Sequence, residues 1–395
     1  MTSRRARGVG LVLASLLALA GFRGARAEPL RVSDALLEPV ATDAIPGFPG
    51  PDPATALAHF RALCDAPGKP QLPSGPGLSV DLAEACEAAR RTAPEGAASF
   101  FTERFEAFRI LRPQASDATT RRKGFLTGYF EPELEGALEA SADFSTPVLA
   151  RPDDLVSLEP GETRPGLPEG LRAARAAGEG FEPYPDRAAI EDGALGARAR
   201  PLLYLRDLVD LFVLQVQGSG RVRLRDGSSL RVLYDGRNGR PYTSVGKLIV
   251  TEGHLPLDGL TLARWTGWLR ANPETGRRLM RRNASYIFFR TEPVADAALG
   301  PPGAAGVPLV PGRSLAVDAG LWRYGLPFWL EGTLPGAGGG EPGRLVIAAD
   351  TGSAIVGPAR GDLYVGTGAA AGAAAGDLRD AVGFVVLIPR RAPAP

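Results

Sequence analysis

Glycine at 50 positions and proline at 36, in a chain of 395 residues, leave little room for long helices. Proline withholds a backbone donor and glycine loosens the backbone. Short strands joined by many turns suit such a sequence better than a helical bundle. Hydrophobic residues make up 44% and charged residues 23%, enough apolar material for an ordinary core. The length allows two domains. A net charge of +1 gives no electrostatic reason to expect nucleic acid or an acidic membrane surface as a partner.

The first residues read as a targeting segment. Arg4, Arg5 and Arg7 form a basic stretch, Leu11 to Ala20 an apolar run, and Ala25-Arg26-Ala27 a small-x-small cleavage site. The run is too short for a bilayer, which asks for about 20 residues. Residues 1–27 are therefore expected to be a signal peptide, with the mature protein starting at Glu28 in the periplasm. No cysteine stands near the cleavage point, so a lipid-bearing cysteine is not expected. Cys64 and Cys86 are expected to pair in an oxidising compartment, closing a loop that contributes about 3 kcal/mol in the chain-entropy account. Two buried thiols are the alternative. His59 and His254 have no companions at metal-ligand spacing, so packed or surface roles suit them and no metal is expected.

Along the chain, residues 53–113 carry apolar side chains at helical spacing: Leu57, Phe60 and Cys64, then Phe101, Phe105, Phe108 and Leu111. Phe125 to Phe130 reads as a strand ended by Glu131-Pro132. Pro67–Pro76, residues 158–170 and Gly336–Gly343 read as loops, and Thr367–Gly376 as a mobile one rich in glycine and alanine. Asp186 to Gly193 carries the cap and stop of one short helix. The apolar run Val209–Val216 reads as a strand, and Arg221–Arg225 with Leu230–Tyr234 as a hairpin around Asp226-Gly227. Residues 260–282 read as helical with a break at Asn272-Pro273. Arg277, Arg278, Arg281 and Arg282 there read as a solvated face. Arg344–Ala349, Leu363–Val365 and Phe384–Ile388 read as strands. The sum is a mainly β chain with a helical N-terminal part, of the barrel kind.

With cysteine and histidine set aside, carboxylates are the natural acid–base groups. Asp318, Asp350 and Asp362 each stand at the edge of an apolar strand. A carboxyl held against apolar walls or another carboxylate has its pKa raised and can donate a proton near neutral pH. Strand-end aspartates also cap turns, and by position alone the three are equal. A second group, Gln215–Gly220 and Asn238–Tyr242, joins glycines that permit close backbone approach to side chains that can bond sugar hydroxyls. A bulge and a turn is the plain alternative. No Lys-Ser or Lys-Thr follows the glycines, which argues against a phosphate loop.

Thr127–Pro132, Gln217–Gly220, Asn238–Tyr242 with Ser244–Lys247, Asn283–Arg290, Ser314–Asp318, and Asp350–Ile355 through Gly361-Asp362 follow one another in order. This order resembles the membrane-bound lytic murein transglycosylase A family, with its C-terminal module named for three aspartates. Each motif alone is weak; six in order, over about residues 50–390, are specific. The resemblance implies a double-psi β-barrel domain, residues 28–132 plus 291–395 with the N-terminal helices, and a smaller β domain inserted at residues 133–290. A groove between them would hold the glycan. Asp362 is then the catalytic acid–base, supported by Asp350 and Asp318. Thr127, Tyr129, Gln217, Ser219, Gly220, Ser244 and Lys247 are then groove-lining residues.

The implied reaction cuts the β-1,4 bond between N-acetylmuramic acid and N-acetylglucosamine in peptidoglycan and closes a 1,6-anhydro ring. It needs no cofactor. The implied partners are peptidoglycan glycan strands and complexes of cell-wall synthesis or division. The chain is expected to act as a monomer in the periplasm, with association to the outer membrane left open. Three alternatives stand beside this: a peptidoglycan hydrolase with Asp350 as second carboxylate, a non-catalytic peptidoglycan-binding protein, and an aspartic protease. The protease is disfavoured because Asp-Thr-Gly occurs once, at Asp350. Two features depart from the family pattern. Members are often lipoproteins, whereas no lipid-bearing cysteine is found here, and the stretch from Thr367 to Asp380 diverges.

Overall fold

The computed structural model describes residues 30–66, 77–158, 162–334 and 342–390. The expected signal peptide, the Pro67–Pro76 loop and most of the Gly336–Gly343 stretch lie outside them. The first strands are β1 (Leu30–Val32), β2 (Ala35–Val40), β3 (Phe105–Leu111) and β4 (Phe125–Glu131). Then come β5 (Glu133–Ala137), β6 (Thr146–Leu149), β7 (Leu155–Ser157), β8 (Ala173–Ala177), β9 (Gly180–Pro183), β10 (Pro201–Leu205), β11 (Ser219–Arg223), β12 (Ser229–Arg237) and β13 (Ile287–Pro293). The last are β14 (Ser314–Ala316), β15 (Pro327–Glu331), β16 (Gly343–Asp350), β17 (Arg360–Thr367), β18 (Arg379–Asp380) and β19 (Gly383–Pro389).

A ten-stranded sheet has the order β1-β2-β3-β19-β15-β16-β14-β17-β4-β18, a six-stranded sheet the order β13-β12-β11-β5-β10-β6, and a third sheet is β7-β8-β9. The fold is mainly β, as the sequence predicts. The ten-stranded sheet draws on both ends of the chain and the other two on its middle. Only Pro132 separates β4 from β5, where the chain leaves the ten-stranded sheet for the six-stranded one; it returns between β13 and β14.

Helices α1 (Pro53–Cys64), α2 (Ala83–Arg91) and α3 (Ala97–Arg104) lie in the N-terminal part. Asp52 starts α1 by accepting from the Thr55 N–H at 3.2 Å, and Pro53 takes a position whose own N–H has no helical partner. The buried face of α1 presents Phe60, whose ring lies 5.7, 6.4 and 5.9 Å from those of Phe100, Phe101 and Phe105. Cys64 and Cys86 are disulfide-bonded, their Cα atoms 5.6 Å apart, and tie α1 to α2.

The chain then gives α4 (Ala118–Arg121), α5 (Arg187–Glu191), α6 (Leu208–Gln217), α7 (Val245–Thr251), α8 (Leu262–Ala271), α9 (Pro273–Arg281) and α10 (Gly368–Asp377). Asp186 caps α5, and α8 gives way to α9 at Asn272-Pro273, both as expected. The arginines of α9 and its C-cap Arg282 form ion pairs on a partly solvated face: Arg278 and Arg282 with Glu252, Arg281 with Glu191 and Asp192. No helix among the described residues is long and apolar enough to cross a membrane.

Three expectations are corrected. The N-terminal helical region stops at Arg104, and Phe105–Leu111 is strand β3, hydrogen-bonded to β2 and β19. Its apolar spacing fits a helix, but Phe105, Ala107, Phe108 and Ile110 are all buried because both faces of this strand are covered. Val209–Val216 is helix α6 rather than a strand. A continuous apolar run does not separate the two. Asp207 decides it, accepting from the N–H groups of Val209 and Asp210, and Gly218 at φ 81° ends the helix. Thr367–Gly376 is no loop: Gly368–Asp377 forms α10, in keeping with the high helix propensity of alanine. Its small residues let it press onto β4. A Cβ on Gly372 would stand 2.8 Å from the Phe130 ring.

Candidate active site

Strand register assembles the site. Asp362 on β17 pairs with Thr127 on β4 to one side and with Ala316 on β14 to the other. Ala316 in turn pairs with Asp350 on β16, and Thr127 with Arg379 on β18. Directly paired residues share a sheet face, so one row runs Arg379, Thr127, Asp362, Ala316, Asp350. A register shift between Leu315 and Ala316 is essential to it. Leu315 pairs with Ala348, so an unbroken ladder would set Ala349 beside Ala316. The bulge puts Asp350 there instead and re-aims its carboxylate.

Asp362 is half-buried. Its Oδ1 accepts from the Thr127 hydroxyl at 2.6 Å. Burial pushes its carboxyl up from 3.8 to about 6. The charge of Asp350 acts in the same direction, while the Thr127 hydrogen bond and the Arg360 guanidinium oppose it. Asp350 is raised by burial as well. Its oxygens are taken: Oδ2 by the Tyr129 hydroxyl at 2.8 Å, Oδ1 by the N–H groups of Ala304 and Thr351 at 2.9 Å each. Burial, together with the Asp350 and Asp362 charges, holds the Tyr129 phenol well above its ordinary value and so neutral.

Asp318 stands apart. Its Oδ1 accepts from Gly320 N–H at 3.0 Å and its Oδ2 from Gly357 N–H at 2.7 Å. It braces the turn that leads into β17. His59 is buried, hydrogen-bonded to Ser314 at 2.8 Å, and burial lowers its pKa to about 4. His254 stacks on Trp268 at 4.8 Å. Among the described residues no group of three or more His, Cys, Asp or Glu could hold a metal ion.

A cleft of about 210 Å³ opens between β4 and the helical part of the middle segment; it reaches Thr127, the hydrogen-bond partner of Asp362, while Asp362 itself is not among its lining residues. Thr127 and Phe130 line it from β4, Gln217 from the end of α6, Tyr242 and Ser244 from the turn before α7, and Trp265 from α8. Gln217 Oε1 accepts from Phe130 N–H at 3.1 Å, tying α6 to β4. Ser244 caps α7 by accepting from Lys247 N–H at 3.3 Å. Of the other expected groove residues, Tyr129 stands beside Asp350. Gly220 packs against Leu214 and Pro132, where a Cβ would lie 2.6 Å from Leu214. Ser219 opens β11 and Lys247 is exposed; neither borders this cleft. Sequence reasoning did not single out Arg360, Trp265 or Arg379 for the site. Arg360 had a signal: it stands two residues before Asp362, on the same face of an extended strand.

The chain matches the MltA specific insert domain over residues 125–290 and the 3D domain over residues 313–388. It is 33% identical over 278 residues to the membrane-bound lytic murein transglycosylase A of Vibrio cholerae, a stretch covering 69% of this chain and 67% of the relative. It is 35% identical over 198 residues to the protein of that name from Escherichia coli K12, covering 49% of this chain and 53% of the relative. A membrane-bound lytic murein transglycosylase from Agrobacterium tumefaciens has a crystal structure that superposes with a TM-score of 0.78 at 34% identity, covering 90% of this chain and 98% of that one. MltA from Neisseria gonorrhoeae superposes with a TM-score of 0.69 at 28% identity, covering 91% and 93%.

Proposed function

The chain belongs to the membrane-bound lytic murein transglycosylase A family, and from that premise we propose that it cuts peptidoglycan glycan strands with Asp362 as its acid–base. Asp362, protonated, gives its proton to the oxygen of the β-1,4 bond as the C1–O bond of N-acetylmuramic acid breaks. The C6 hydroxyl of the same sugar attacks C1, and its proton passes to the ionised Asp362. A 1,6-anhydro ring closes, the acid is restored and no water is consumed. The nucleophile is part of the substrate, so its high effective concentration replaces a second catalytic carboxylate.

One observation carries this reading. Asp362 has a carboxyl pKa of about 6 and is hydrogen-bonded to Thr127, which lines the cleft, while the other carboxylate whose charge reaches it, Asp350, has its oxygens engaged by three donors. A hydrolase would ask one of those oxygens to activate water. The mass of the products tests it. Anhydro ends are one water lighter than reducing ends, and water-weight products from purified strands would overturn the proposal in favour of the hydrolase.

The acid must start protonated, so its loss sets the alkaline limb. We expect kcat/KM on soluble glycan strands to fall about tenfold per pH unit above about 6. A flat profile from pH 5 to 8 would count against Asp362.

The reading extends to the domains and the location. The barrel domain is residues 28–132 plus 291–395 and the insert 133–290. In support, the strands of the ten-stranded sheet fall at 30–131 and 314–389, and those of the other two at 133–293. Residues 1–27 export the protein to the periplasm.

A further inference from the structure

Arg360 lies on β17 two residues before Asp362, and the two are joined through a third residue. The Arg360 Nη2 donates to Thr127 Oγ1 at 2.8 Å, and Thr127 Oγ1 donates to Asp362 Oδ1 at 2.6 Å. The guanidinium is fixed from its other side. Its carbon stands 5.2 Å from the centre of the Phe125 ring, and Nη1 donates to the carbonyls of Phe125 and Gly361.

A guanidinium can only donate, and a threonine hydroxyl has one proton. With Arg360 donating to Thr127, the hydroxyl proton is left for Asp362 and the relay has a single direction. Oδ1 of Asp362 is then always an acceptor. When the carboxyl is protonated, the proton sits on Oδ2. The other titratable groups acting on Asp362 are Asp350 on β16, Tyr129 on β4 and Tyr242 before α7. Both phenols are pushed upward and stay neutral in the working range. Arg379 stands in register beyond Thr127 on β18. Arg360 is the cation whose charge acts on the acid, against the carboxylate of Asp350.

We infer that Arg360 is a positioning residue for the Asp362 acid–base: through Thr127 it selects the oxygen that carries the proton, and its charge favours the carboxylate left after the proton has gone. This rests on the assignment of Asp362 above. It goes beyond that assignment by naming what limits the acidity of the group and orients it. Without Arg360, burial and Asp350 would act on Asp362 with less opposition. The acid would be too weak to give up its proton readily, and Thr127 would be free to rotate.

The test follows two readouts in the full chain carrying ¹³C-labelled aspartate carboxyls, with the Asp362 signal assigned by difference from Asp362→Asn. Arg360→Gln should move both the carboxyl titration and the alkaline limb of kcat/KM upward by about one pH unit. It should lower kcat about tenfold at pH 5 and leave KM nearly unchanged. Arg360→Lys keeps the charge and should return the titration toward about 6 while kcat stays low. Thr127→Val keeps the cation but breaks the relay, and serves if Arg360→Gln does not fold; it too should raise the titration. An unmoved titration and limb in Arg360→Gln, or a fall in kcat and a rise in KM with the limb still near 6, would overturn the inference. The two failures separate cleanly. An active Asp362→Asn sinks the catalytic assignment, whereas the carboxyl titration judges Arg360 without reference to turnover.

Discussion

Asp362→Asn should lower the clearing of cell-wall sacculi about 10³-fold and, in the same molecule, make the fold more stable at neutral pH. The first effect is the loss of an acid–base, for which removal of a positioned proton donor costs roughly 10²–10⁴ in rate. The amide keeps the Thr127 hydrogen bond, since its oxygen can still accept, so the geometry of the cleft is retained. The second effect follows from linkage. The carboxyl titrates at about 6 in the folded protein, against an ordinary 3.8. The folded state therefore holds the proton more tightly than the unfolded chain. Its stabilising effect is full below about pH 3.8 and is lost as pH rises through about 6. The loss amounts to at most about 3 kcal/mol, less where solvent reaches the half-buried group. Asparagine does not titrate and removes the slope. Urea unfolding of both proteins between pH 4 and 7 measures it. The curves should coincide at the acid end and separate toward pH 7 with the variant above. Turnover equal to the parent would refute the assignment, and parallel stability curves would refute the raised pKa.

Why this aspartate and not another was only partly legible in the sequence. Strand-end position marked Asp318, Asp350 and Asp362 equally, and the family motifs chose among them. What distinguishes them physically is cross-strand register. Asp350 reaches the face of Asp362 through a one-residue bulge, and Asp318 is consumed by the turn at Gly357. Neither fact is local. The spacing of two residues puts Arg360 on the face of Asp362, but its link to the acid runs through Thr127, 233 positions away. Elements were legible where a local signal was decisive. The Asp226-Gly227 turn, the Asp186 cap and the break at Asn272-Pro273 all specify backbone conformation directly. β3 and α6 were misread because apolar spacing reports burial, and burial on two faces looks alike in a strand and a helix. The α10 segment was misread because low complexity suggested mobility. Small residues also permit the closest packing, and Gly372 against Phe130 shows which applies here.

The second large effect is expected far from the acid. Glu131, at the end of β4, is completely buried. Its Oε2 accepts from Arg221 Nε at 2.7 Å and from the Thr367 hydroxyl at 2.9 Å, and its Oε1 accepts from Arg231 Nε at 2.9 Å. The two arginines also donate to the carbonyls of Ala297 and Leu299 at 2.8 Å, which offsets the excess positive charge. β4 and β17 of the ten-stranded sheet are thereby fastened to β11 and β12 of the six-stranded sheet, and both to the segment after β13. Glu131→Ala leaves two buried guanidinium groups without a counter-charge, and breaking a buried ion network by removing one partner costs about 3–5 kcal/mol. Denaturant unfolding should show that loss. Replacing Glu131, Arg221 and Arg231 together by methionine should recover much of it, because removing all the charges also removes their desolvation cost. The recovered protein should nonetheless cleave glycan poorly. The cleft lies between β4 and helices of the middle segment, of which α6 packs on the six-stranded sheet, so on the proposed reading the directional bonds of Glu131, beyond packing, hold the two sides at the distance that Asp362 needs. A triple variant that is both stable and fully active would show that the sheets need no such fastening.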